Sequence, residues 1–149
     1  MDAIWLTGAQ WPAVLRIGLG LWWLESWRHK DRRSRPAGSG IAWAADVAAE
    51  HRWPVVRAGF DRVVAPRPRV MAHVVLHAEL ALGLGLVLGF LTPVALVGGL
   101  LLNLLYLTLM IHDWAEQGQN GMMALISVVA LFGMSWQSWS VDGALGWFG

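Results

Sequence analysis

Cysteine is absent from the 149 residues. With it go disulfides, thiolate metal centres, iron–sulfur ligation and cysteine nucleophiles. Charge is scarce as well: 14% of residues are charged and 56% hydrophobic, and a soluble domain of this length needs far more charged surface. No HExxH pattern or acidic cluster completes a metal site. The N-terminus lacks the basic segment and small-residue cleavage site of a secretory signal, so no cleaved leader is expected.

What is present is a set of apolar runs around one basic segment. The net charge of +1 hides a strong asymmetry, because ten of the eleven Lys and Arg residues lie between Arg28 and Arg69 and only Arg16 lies elsewhere. Four spans are predicted, over residues 11–27, 70–90, 93–111 and 121–136. Each is near the roughly 20 residues that cross about 30 Å of hydrocarbon. Thr92-Pro93 should turn the second span into the third as an antiparallel hairpin, since proline starts a helix more readily than it continues one. Gly18, Gly20, Gly83, Gly85, Gly89, Gly98 and Gly99 fall inside spans, where small residues let helices approach closely.

The expected architecture is all-α: a polytopic membrane four-helix bundle, a single domain over residues 1–149, with an amphipathic interfacial insertion between the first and second spans. The run "RHKDRRSRPAGSG" is read as a solvated basic stretch in contact with anionic lipid rather than with nucleic acid. Residues 41–51 are Ala-rich and helical. From Pro54 a second helix places Val56, Phe60 and Val63 on one face, with Arg57, Asp61 and Arg62 opposite. "APRPR" ends it and turns the chain into the bilayer. Retention of basic loops on the cytoplasmic side places segment 28–69 inside and both termini outside, in a prokaryotic inner membrane whose bilayer is the chief partner. Trp5, Trp11, Trp136, Trp139 and Trp147 would then mark the outer interface, and Trp22, Trp23, Trp27 and Trp114 the inner one.

The stretch "LRIGLGLWWLESWRHK" resembles the first helix of the DoxX/DoxD family, with an Arg near its start, a Gly-rich middle and a Lys at its exit. "AELALGLGLVLGFLTP" resembles that family's Glu-Leu-x-x-Gly helix hairpin, and "SWSVDGALG" its closing Asp-containing segment. The resemblance implies a small four-helix membrane protein related to the membrane subunit of thiosulfate:quinone oxidoreductase. Its expected function is that of a small subunit of quinone-linked electron transfer, working beside other membrane-protein subunits, with quinone as the implied cofactor. Two other readings stay open: a non-catalytic assembly subunit of a larger respiratory or photosynthetic complex, and a haem-binding subunit.

The polar residues inside the spans define the candidate sites. Arg16 and Glu79 should reach similar depth in antiparallel helices and pair, either as a lock between the first two spans or as the lining of a quinone pocket. Asn103 in the third span is interhelical glue or a quinone hydrogen-bonding group. Asp142 caps a short terminal helix or belongs to an outer-face site. Glu25 should pair locally with Arg28 and His29. His73 and His77 share one helical face, about 200° from which Glu79 departs by geometry, so they form a separate feature. With His112 they are the candidate haem or metal ligands, although an interfacial histidine is more often simply hydrated.

Overall fold

The computed structural model describes residues 6, 8, 10–30 and 39–148, with side chains from residue 44 onward in the second segment. Trp5 and most of the basic run, residues 31–38, lie outside the described residues. Among those described, the chain is helical and has no strand. Its elements are α1 (Trp11–His29), α2 (Ser39–Ala49), α3 (Pro54–Val63), α4 (Pro68–Leu88), α5 (Thr92–Leu109), α6 (Trp114–Phe132), a 3-10 turn over Ser135–Gln137 and α7 (Val141–Ala144).

Local chemistry sets most of the boundaries. Pro12, Pro54, Pro68 and Pro93 occupy the first turns of α1, α3, α4 and α5, where their missing N–H is no loss. Gly89 closes α4 in the left-handed conformation at φ 67°, and Leu91 is left-handed as well at φ 50°, which together reverse the chain into α5. The fourth long helix begins seven residues before the expected 121, because Asp113 caps it by accepting from the N–H groups of Ala115 (2.9 Å) and Glu116 (3.1 Å). It also ends earlier, at Phe132, since Met134 turns left-handed.

The four long helices pack in a closed ring, with α1 chiefly on α4 and α5 chiefly on α6, while α1 meets α6 and α4 meets α5. Glycine sets the α1–α4 register. A Cβ at Gly20 would lie 2.8 Å from the Val87 nitrogen, and one at Gly83 would lie 2.6 Å from the Leu24 side chain. Leu19, Trp23, Leu86, Leu96, Met123 and Ala130 form the apolar core. Trp23 is therefore a core residue and not the interfacial ring expected of it.

α2 and α3 form an elbow at the end of the ring where α1 finishes and α4 begins, here the insertion end. α2 rests on α4 and α5. His51, 1% exposed, joins the elbow to α5. The Trp53 N–H donates to His51 Nδ1 (3.1 Å), so the hydrogen of the neutral ring sits on Nε2 and is donated to the Thr108 carbonyl (2.8 Å). Gln117 Nε2 takes the neighbouring carbonyl of Leu107 at 2.7 Å. The last carbonyls of α5, which lack partners within their own helix, are thus satisfied from two other elements. In α3, Phe60 is buried and Val56 partly so, but Val63, expected on the same face, is 62% exposed. Val64, four residues after Phe60, completes the inward stripe.

The distribution of polarity is inverted relative to a water-soluble bundle. Arg16, Glu79, Asn103, Asn120, Ser127 and Asp142 are buried, while Leu21, Leu84, Val94, Leu101, Leu125 and Phe132 are exposed. By length and composition two helices, α4 and α5, can cross a membrane, where the sequence suggested four. α1 is diluted by Arg16, Glu25 and Arg28, and α6 by the polar turn from Glu116 to Asn120.

Candidate functional site

The charged residues inside the ring form two separate constellations, one at each end. Arg16 and Glu79 do not pair. Arg16 lies five residues into α1, near the α4–α5 turn, whereas Glu79 sits in the middle of α4, level with the far end of α1 because α4 extends beyond it at the insertion end. Each charge finds other partners.

At the hairpin end both terminal nitrogens of Arg16 are taken by main-chain carbonyls, while its buried Nε has no partner among the described residues. Nη1 donates to Leu86 O (2.7 Å), and Nη2 to Trp139 O (2.7 Å) and more weakly to Ser138 O (3.4 Å). Asp142 is fully buried and does cap a helix, but α5 rather than the terminal one. Its two carboxylate oxygens accept from the N–H groups of Leu91 (2.8 Å) and Thr92 (2.7 Å). Its own N–H donates to Gly89 O at 2.9 Å, and Ser140 caps α7 instead. Gly89 has to be glycine twice over, since a Cβ there would also lie 2.4 Å from Arg16 Nη1. Every carboxylate oxygen of Asp142 is committed, and this end reads as a structural lock between α1, the hairpin and the C-terminal segment.

Unpartnered buried atoms occur at both ends, Arg16 Nε, Thr92 Oγ1 and Ser135 Oγ at the hairpin end, but at the insertion end they include a carboxylate oxygen and a whole amide. Glu79 Oε1 receives Lys30 Nζ in an ion pair and the Tyr106 hydroxyl at 3.2 Å. Oε2 is buried without a hydrogen-bond partner among the described residues. Asn103, fully buried and one helical turn from Tyr106 on the same face of α5, leaves both its Oδ1 and Nδ2 unpaired among the described residues. Trp23 Nε1 is unpaired as well and lies against Gly99, four residues before Asn103. Buried polar atoms are nearly always hydrogen-bonded, and leaving one unpaired costs about 1–3 kcal/mol. A carboxylate oxygen, an amide and an indole N–H left free around one stretch of α5 therefore offer an acceptor and donors to a small polar group. Comparison of the chain with family models, curated proteins and solved structures finds no match. The arrangement has to be read on its own chemistry.

Lys30 connects this interior to the outside. Its side chain is 42% exposed while that of Glu79 is 1% exposed, so the ion pair runs from the surface to the buried carboxylate. On α6, Asn120 Nδ2 donates to the Glu116 carbonyl (2.8 Å) and carboxylate (3.1 Å), extending the polar lining of the insertion end.

The remaining candidates stand apart. His73 and His77 are exposed on α4, their rings 6.1 Å apart, and His77 Nδ1 bonds the His73 carbonyl of its own helix. His112 is exposed in the α5–α6 turn. Among the described residues no group of three His, Asp or Glu side chains is placed to hold a metal ion. Glu25 pairs with Arg28 (2.6 Å) and His29 (3.2 Å), as helical spacing implied. Sequence reasoning did not single out Lys30, Tyr106, Trp23 and His51 as site residues. Two signals existed: Lys30 is the exit lysine of the first-helix motif, and Tyr106 is the chain's one tyrosine, in an otherwise apolar helix.

Proposed function

We propose that this chain is a DoxX/DoxD-like four-helix bundle of a prokaryotic inner membrane, and that it serves quinone-linked electron transfer by holding a quinone headgroup among Trp23, Lys30, Glu79, Asn103 and Tyr106. The membrane part of this reading is supported by the inverted polarity, since lipid takes exposed Leu, Val and Phe at no penalty and drives Arg16 and Glu79 inward. α1 and α6, 19 residues each, are long enough at about 1.5 Å per residue to accompany α4 and α5 across most of the hydrocarbon layer. In this arrangement the insertion end faces the cytoplasm and both termini lie outside, following the basic residues. Absence of cysteine makes a single introduced cysteine a clean topological probe. A maleimide that does not cross the membrane should label a cysteine at Gly59 only after the inner face is opened, and one at Gly146 from outside.

The quinone part rests on one observation: Oε2 of Glu79 is unpaired, and so is the amide of Asn103, one helical turn from the Tyr106 that bonds Glu79. A quinone carbonyl accepts hydrogen bonds of the kind Asn103 Nδ2 and Trp23 Nε1 can donate, and its reduced form gains hydroxyls that Glu79 Oε2 can accept. The Lys30–Glu79 pair supplies a route for protons between that carboxylate and water. The test is extraction of the detergent-purified full chain, followed by titration with a short-chain ubiquinone analogue read by tryptophan fluorescence. Near-stoichiometric quinone, with quenching that weakens at least tenfold in Asn103→Leu, supports the reading. Absence of both extracted quinone and saturable quenching refutes it.

A further inference from the structure

The elbow helix α3 carries a surface that neither the bundle nor the buried site explains. Phe60 is buried and His51 fixes the preceding turn against the end of α5, so the direction in which α3 presents its other face is set. On that outward face Val55 and Arg62, seven residues apart, share one stripe two turns apart, and Arg57 and Val63 leave the helix on its two flanks. Val55 is 75% exposed, and Trp53 and Val63 are exposed beside it. Arg52, Arg57, Arg67 and Arg69 are exposed too, and the Arg52 guanidinium stands 5.4 Å above the Trp53 ring. Between residues 52 and 69 the only acidic side chain is Asp61.

From this we infer that α3 and its flanking arginines form a docking surface for anionic phospholipid headgroups. The inference rests on the membrane reading above but not on the quinone site. Exposed apolar and cationic side chains along and beside one short helix suit a position at headgroup depth: Trp53, Val55 and Val63 enter the upper acyl region while the long arginine stems reach round the helix to keep their guanidiniums at the phosphates. Guanidinium matches phosphate oxygens in paired hydrogen bonds, and the five-to-one excess of Arg over acid complements an anionic leaflet. An acidic protein would meet the same charge but gives no reason for Val55 and Val63 to stand exposed among the arginines. α3 docks at the insertion end, where α4 begins, so its surface sits at the level at which chain and leaflet meet.

The experiment is native mass spectrometry of the delipidated full chain in mild detergent with equal amounts of dioleoyl phosphatidylglycerol and dioleoyl phosphatidylcholine. Wild type should retain phosphatidylglycerol in excess of about tenfold, the preference that a few arginines near a charged surface supply. The triple variant Arg57→Gln, Arg62→Gln, Arg67→Gln should lose that preference with its helix content by circular dichroism unchanged, because all three side chains are exposed. The corresponding triple lysine variant should keep most of it, which separates charge from a structural role. Equal retention of the two lipids by wild type overturns the inference, and so does a glutamine variant that still prefers phosphatidylglycerol. Equal lipid retention combined with binding of a polyglutamate probe would assign the surface to an acidic protein instead. A chain that purifies in monodisperse form without detergent removes the membrane reading itself, whereas missing quinone with intact lipid preference removes only the quinone reading.

Discussion

Removing Lys30 tests the central assignment, that Glu79 is neutralised by Lys30 and not by Arg16. In Lys30→Met the carboxylate stays fully buried and keeps the Tyr106 hydroxyl as its donor among the described residues. Breaking an ion pair buried on both sides costs about 3–5 kcal/mol. Lys30 is 42% exposed, so water already screens its end of the pair, and about 2 kcal/mol is expected instead. Glu79→Gln is milder, about 1 kcal/mol, because the amide still accepts from Tyr106 and Lys30 can turn to water. The double variant should cost little more than Glu79→Gln alone, giving a coupling of about 1–2 kcal/mol. The control is the cycle of Arg16→Met with Glu79→Gln. Arg16 binds Leu86, seven residues and roughly 10 Å along α4 from Glu79, a separation at which effects add within about 0.5 kcal/mol. The assay is thermal unfolding of the full chain in one detergent at a fixed heating rate, since membrane-type chains seldom refold and the midpoints must share conditions. Each kcal/mol should move the midpoint by about 2–4 °C. Additive losses for Lys30 and Glu79, or a strong coupling between Arg16 and Glu79, would refute the assignment.

Asp142→Ala should remove the cap on α5 and leave Arg16 without its nearby countercharge, lowering stability by about 2 kcal/mol, while Asp142→Asn should recover part of that by accepting one of the two N–H groups; the same thermal assay reads both. His51→Phe fills similar space but loses the bonds to Thr108 and Trp53, at about 1 kcal/mol each, and limited proteolysis between Arg52 and Arg69 should become several-fold faster as the elbow loosens. Gly20→Ala should destabilise by about 1–3 kcal/mol because its Cβ meets Val87 main chain, whereas Gly18→Ala, with nothing within 4 Å, should be neutral or slightly stabilising; equal effects would mean that α1 and α4 are not in the register described.

By itself the sequence determined whatever depends on one helix or one turn. The apolar runs fixed three of the four long helices to within two residues, Thr92-Pro93 fixed the hairpin, and the spacing of Glu25, Arg28 and His29 fixed their ion pairs, because those groups stand three or four residues apart. The start of α6 was missed even locally, since its first turns are polar and only the Asp113 cap marks them. Partner choice across the ring was decided by the tertiary structure alone. Whether Glu79 meets Arg16 or Lys30 depends on how far α1 slides along α4, and that is set by the close approach at Gly20 and Gly83. Asp142 caps a helix that begins 50 residues before it, and His51 satisfies a carbonyl 57 residues after it. Hydropathy reports that a side chain prefers the interior, but it carries no information about which neighbour waits there, because burial is non-directional and hydrogen bonding is not.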